Sequence, residues 1–239
     1  MYQFSTKVRY TETDLDGKLT IPALMDYFQD CSVFQSESLG VGIEHLEKTK
    51  TAWILNSWQI CINKMPSLGD EIFVQTWPYD MKGFFGYRNF QIVDKEGNVL
   101  AFANTVWIYV NTETGRPLRI PQELMDIYVQ EPPIEMECGE RKMTAPEEYV
   151  EKESLVVPKY FIDTNHHMNN SKYALVAMRY AEEEIGNNAI QEVRVEYKKE
   201  ALLGNVMIPR VTKLENEVDV NLVDQNGKSY SIVKFLLKK

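Results

Sequence analysis

The chain has 239 residues, 44% hydrophobic and 26% charged, enough to bury one large core or two smaller ones without staples. Its 26 basic and 35 acidic side chains leave a net charge of −9, which argues against nucleic acid or an anionic membrane as the main partner. Cys31, Cys61 and Cys138 show no paired spacing, so neither a disulfide framework nor a zinc site is indicated.

Residues 4–10 alternate well enough for a strand. From Thr20, the apolar positions Ile21, Leu24, Met25, Tyr27, Phe28, Cys31 and Phe34 then follow helical spacing, with Pro22 in the first turn and Gly40 and Gly42 at the end. A short polar stretch precedes strand-like runs at 52–62, 71–77, 84–93 and 99–110, with turn signals at Ser67–Asp70 and Lys95–Asn98. Residues 130–147 lack periodicity, hold Pro132, Pro133 and Pro146, and read as a linker. Thereafter the order recurs: strand-like 156–162, a polar turn, a helix to Gly186, and strands near 190–199, 205–214, 216–223 and 229–237.

Direct echoes support a duplication. DLDGKL at Asp14–Leu19 matches DTNHHM at Asp163–Met168, SLGD at 67–70 matches LLGN at 202–205, and VDKEGN at 93–98 matches VDQNGK at 223–228. The expected domains are 1–130 and 148–239, joined by 131–147, each an α+β unit of one long helix and an antiparallel meander.

The chemistry gathers at Asp163–Tyr173. Asp163, Asn165 and His167 are spaced by two, so an extended segment would set a carboxylate, a carboxamide and an imidazole on one face. Asn169, Asn170 and Ser171 offer N-cap side chains to the following helix, whose N-terminal N–H groups and dipole suit a developing oxyanion. His166 would face the other way and is expected to be a structural or surface residue. In the first copy Asp14, Asp16 and Lys18 take the equivalent places. A lysine does not serve as a near-neutral base without a large pKa depression, so that copy is expected to be inert.

A helix packed on an antiparallel sheet and entered through this turn resembles the hotdog fold, and the tandem pair resembles the acyl-ACP thioesterases. Four stretches carry the resemblance: Asp163, Asn165, His167, Met168, Asn169 and Asn170; Glu196-Tyr197-Lys198-Lys199-Glu200; Thr76–Pro78 with Arg88; and VWIYVNTETGRPLRIP at 106–121. It implies two tandem hotdog domains, with the acyl chain housed by the first and catalysis in the second. The substrate implied is a fatty acyl group on acyl carrier protein, and the site implied is Asp163, Asn165, His167 and Glu200, with Asn169 and Asn170 at the oxyanion. Where plant members often carry cysteine, Ala201 follows Glu200, which rules out a thiol nucleophile there and leaves water or a carboxylate to attack.

Thioester hydrolysis needs a nucleophile, a proton acceptor and an oxyanion stabiliser. Glu200 is the preferred base, with His167 and Asn165 orienting water and carbonyl, although the residues alone leave Asp163, His167 and Glu200 all eligible. No metal-ligand cluster or phosphate loop is present, so no cofactor or metal is expected. An acyl-CoA thioesterase of the same fold, or a binder of acyl thioesters without turnover, fits the same residues, and a homodimer is compatible with them. Residues 145–239 carry 13 basic and 15 acidic side chains against 13 and 20 in 1–144, which makes Lys198, Lys199, Lys238 and Lys239 the expected docking cations for an acidic carrier. With no apolar run near the roughly 20 residues of a membrane helix, and no basic-then-apolar leader, a cytoplasmic location is expected.

Overall fold

The Thr20 hydroxyl accepts the Ala23 N–H and starts α1 (Ile21–Ser38), with Pro22 in the first turn where its missing N–H costs nothing. The computed structural model describes residues 1–238, and in it the chain divides into two units. The first comprises Met1–Asn56 with Ile62–Cys138. Its strands are β1 (Tyr2–Lys7), β2 (Thr51–Ile62), β3 (Glu71–Lys82), β4 (Phe85–Val93) and β5 (Val99–Asn111), in the spatial order β1-β3-β4-β5-β2. Helix α1 buries Leu24, Met25, Phe28 and Cys31, and the Phe28 ring meets Phe90 of β4 at 5.3 Å. Arg88 of β4 is in register with Thr105 of β5, and Thr76 of β3, which pairs with Phe90, lies diagonally from it. Arg88 is only 7% exposed; its Nη1 donates to Gln35 and Thr76, its guanidinium lies over Tyr128, and burial lowers its pKa.

Two short helices were not foreseen: α2 (Ile43–Thr49) falls where the sequence suggested a short polar stretch, and α3 (Gln122–Ile127) where it assigned no element. Leu46, Leu124 and Met125 from them join Val41, Tyr109, Ile120 and Tyr128 in a separate apolar cluster. Helices this short are not stable alone, so tertiary burial of these few side chains decides them.

The second unit comprises Ser57–Cys61 with Gly139–Lys239. Its elements are β6 (Val150–Glu151), β7 (Leu155–Val156), α4 (Asn170–Ile185), β8 (Ile190–Tyr197), β9 (Val206–Lys213), β10 (Glu217–Val223) and β11 (Ser229–Leu237). The Ser57–Cys61 part of β2 pairs with β8, followed by β11, β10, β9 and β6, while β7 also pairs with β9. Period-two alternation buries Val193, Val195, Val218, Val220, Leu222, Val233 and Phe235, and α4 contributes Tyr173, Ala174, Val176, Ala177 and Ala181 to the core. The architecture is thus α+β, in two helix-on-sheet units.

Two details depart from the sequence reading. The run 156–162 is strand only at Leu155–Val156; Pro158, lacking an N–H, ends the pairing, and Lys159–Phe161 forms a 3-10 turn like Tyr10–Glu12 in the first unit. Residues 131–147 contain no helix or strand, as their composition predicts, yet they are fastened rather than loose. Pro132 O accepts the Trp77 indole N–H and Ile134 N–H donates to Asn89 within the first unit. In the second, Gly139 N–H donates to Gln59 and Met143 N–H to Glu196, on the opposite face of the sheet from its apolar core.

Candidate active site

Asp163 builds the turn that carries the candidate residues. Its Oδ1 accepts the Asn165 N–H at 2.8 Å, its carbonyl accepts His166 N–H, and its own N–H reaches the His167 carbonyl at 2.9 Å. Ile162 and Met168 bridge across the base. The segment is therefore a tight loop, and the expectation of an extended strand presenting one face is corrected. Folding the backbone back requires a left-handed residue, which is His166 at φ 64°. His166 and Asn165 are exposed, whereas Asp163 and His167 are half-buried. The Asn165 bond to Asp163 uses its backbone N–H, and its carboxamide lies on the exposed side of the turn.

Glu200 lies three residues beyond β8, in the connection to β9. Tertiary structure brings it to His167: Nε2 and Oε2 are 3.1 Å apart, with side chains 36% and 52% exposed. The connection is pinned at Ala201, which is fully buried. Ala201 O accepts the Met168 N–H at 2.8 Å, and Ala201 N–H donates to the Tyr173 hydroxyl at 2.9 Å. Upstream, the N–H groups of Lys198 and Lys199 both reach Tyr230 O, a bulge that turns the chain toward this position.

The first unit repeats this geometry without its chemistry. Asp14 Oδ1 accepts Asp16 N–H, Asp14 N–H reaches Lys18 O, Gly17 takes φ 69°, and Leu19 N–H donates to Pro66 O. Asn63 and Lys64 N–H both reach Leu100 O, as Lys198 and Lys199 do with Tyr230. Residue by residue, Lys18 then stands for His167, Gly17 for His166, Pro66 for Ala201 and Met65 for Glu200. Lys18 Nζ donates to Ser67 at 2.8 Å. Asp14 and Asp163 thus serve the same turn in both copies, each with a carboxylate oxygen that accepts the N–H two residues on.

Of the expected oxyanion groups, the Asn169 N–H is committed within the protein. Asn169 caps α4, its Oδ1 accepting Ser171 N–H and its carbonyl accepting Lys172 N–H, while its own N–H donates to Phe161 O. Asn170 O accepts the Tyr197 hydroxyl at 2.9 Å. The Asn169 N–H, which the sequence reading had aimed at a ligand, is therefore corrected from an oxyanion donor to a structural one. Two of the expected docking lysines are likewise engaged. Lys198 Nζ meets Glu196 at 2.6 Å and Met143 O at 3.0 Å, and Lys199 meets Asp224 at 3.0 Å above the Tyr230 ring. Lys238 N–H donates to Ala189 O, and Lys239 lies outside the described residues.

A duplicated helix-on-sheet fold, with one copy holding His and Glu together at the helix entrance, defines a tandem hotdog protein. Solved structures carry the same fold. An acyl-ACP thioesterase from Bacteroides thetaiotaomicron is 24% identical with TM-score 0.89, over 99% of this chain and 97% of that one. A 12:0-ACP thioesterase from Umbellularia californica is 19% identical with TM-score 0.85, over 99% and 96%. The chain belongs to the acyl-ACP thioesterase family: the family's N-terminal domain matches residues 1–128 and its C-terminal domain 144–235. A chloroplastic acyl-[acyl-carrier-protein] hydrolase of Cuphea viscosissima is 25% identical over 240 residues, covering 94% of this chain but 55% of that protein. The chain thus spans about half the length of the curated relatives it matches. No helix among the described residues is long and apolar enough to cross a membrane.

Proposed function

We propose that the chain hydrolyses fatty acyl thioesters of acyl carrier protein to the free fatty acid and the carrier thiol. The observation that supports this best is the 3.1 Å contact between His167 and Glu200, formed in one copy only. In this reading the His167 Nε2–H holds the Glu200 carboxylate, which takes a proton from water through its other oxygen. The water oxygen bonds to the acyl carbon, Asn165 steadies the carbonyl oxygen, and the C–S bond then breaks. The proton returns to the departing sulfur, so the products are a carboxylic acid and a thiol. Asp163 shapes the turn, and catalysis runs in the second unit alone.

The first unit, in this proposal, houses the acyl chain against the apolar face of α1. Ala103 is fully buried in register with Phe90. Ala103→Leu should therefore shift preference toward shorter chains.

The test is release of free acid and free thiol from a panel of acyl-ACP and acyl-CoA substrates of graded length, with wild type and His167→Ala. Higher kcat/KM on acyl-ACP, and a loss of about 10²- to 10⁴-fold in His167→Ala, are expected. Preference for acyl-CoA would replace the carrier in this reading, and tight binding without turnover would replace the reading itself with a sensor.

A further inference from the structure

Tyr173 lies in the first turn of α4, 3% exposed, with its hydroxyl 2.9 Å from the Ala201 N–H. Ala201 immediately follows Glu200, and both of its backbone polar groups are held. Its carbonyl accepts Met168 N–H, next to His167, and its N–H is taken by the helix through Tyr173. The Tyr173 ring stands edge-on to Tyr197 at 5.3 Å and 78°, and Tyr197 is itself bonded to Asn170 O, which restricts any swing of the ring. Burial, with Glu200 and Asp163 among the neighbours that add to it, pushes the Tyr173 hydroxyl up to about 12. The hydroxyl thus stays neutral and keeps its acceptor lone pairs.

The first unit supplies an internal control. Position for position, Leu24 replaces Tyr173 and Pro66 replaces Ala201, a pair with no hydroxyl to accept and no N–H to donate. The bond from the turn is nevertheless kept, Leu19 N–H to Pro66 O at 2.9 Å. An apolar pair therefore suffices to build the turn and its connection. The Tyr173–Ala201 hydrogen bond occurs only in the copy where a carboxylate must meet an imidazole.

We propose that Tyr173 is a positioning residue, which fixes Glu200 at hydrogen-bonding distance from His167 by holding Ala201 N–H. This rests on the reading of His167 and Glu200 as the hydrolytic pair. A base displaced by a fraction of an ångström remains chemically intact but meets the water poorly, at a cost of up to about 100-fold in rate.

The experiment compares wild type, Tyr173→Phe and Glu200→Gln in single-turnover and steady-state hydrolysis of acyl-ACP, per folded molecule. Tyr173→Phe keeps the ring and removes the hydroxyl. Its kcat should fall about 10- to 100-fold with KM within about twofold, and its pH profile should approach that of Glu200→Gln. In NMR spectra at fixed pH, without substrate, the His167 Cε1–H signal should move toward its position in Glu200→Gln. Because Tyr173→Phe leaves a buried N–H unpaired, the double variant Tyr173→Leu/Ala201→Pro, which transplants the first unit's pair, serves if the single one fails to fold; the same losses are expected. A folded variant with wild-type kcat, pH profile and His167 signal, altered only in thermal stability, would overturn the proposal. If Glu200→Gln itself turns over at the wild-type rate, the hydrolytic pair is at fault instead.

Discussion

Changing Glu200 to Gln should separate the chemistry of the second copy from its architecture. Glutamine keeps the length and planarity of the side chain, and a residue with 52% side-chain exposure contributes little to the core. Stability should therefore stay within about 0.5 kcal/mol of wild type. What is lost is a carboxylate oxygen 3.1 Å from His167 Nε2, replaced by an amide that accepts a hydrogen bond but no proton. Loss of a positioned base costs about 10²- to 10⁴-fold, which is about 2.7–5.4 kcal/mol of barrier at 1.36 kcal/mol per tenfold. The control is Lys18→Ala, at the place of His167 in the first copy. It removes the 2.8 Å bond to Ser67, worth about 0.5–1.5 kcal/mol of stability, and nothing from the barrier. Single-turnover hydrolysis with enzyme in excess, normalised to the folded fraction, reads the chemical step directly. Near-wild-type turnover in Glu200→Gln, or a loss in Lys18→Ala as large as that in Glu200→Gln, would refute the assignment of the site to the second copy.

Lys198→Met should act on stability before carrier affinity, since it strips a 2.6 Å partner from the buried Glu196 carboxylate; a loss of about 1–2 kcal/mol in denaturant titration, with KM for acyl-ACP little changed, is the expected result. His166→Gly relieves a left-handed non-glycine residue, worth about 1–2 kcal/mol, at an entropic cost of about 0.5–1 kcal/mol. Its melting temperature should equal or exceed the wild type's with turnover retained, while Gly17→Ala should melt lower. Asp219 is 1% exposed, and burial, reinforced by Glu217 and opposed by Lys234, pushes its carboxyl from 3.8 up to about 7. A carboxyl that holds its proton longer in the folded chain makes its full contribution below its unfolded value and loses it as pH rises. Wild-type stability should consequently fall, relative to Asp219→Asn, across the window from 3.8 to about 7, as followed by denaturant melts at successive pH values.

What the sequence determined by itself is what local chemistry enforces. Thr20 with Pro22, and Asn169 before Ser171, start the helices through bonds that span two or three residues. Period-two runs set the strands, and because the turn before each helix and two later turns carry matching residues, the duplication is visible without coordinates. The resemblance also named His167 and Glu200, but their 3.1 Å contact joins positions far apart in sequence and depends on the Ala201 anchor. The turn was misread as extended because alternation of polar residues describes a strand and a loop equally well; the Asp163 side chain and the left-handed His166 settle it. Lys198, Lys199 and the Asn169 N–H looked free in the sequence, and only folding gave them Glu196, Asp224 and the Phe161 carbonyl. Hydrogen bonds act over about 3 Å. A residue's type therefore fixes what it is able to bond, and only the long-range packing of strands and helices fixes which partner comes within reach.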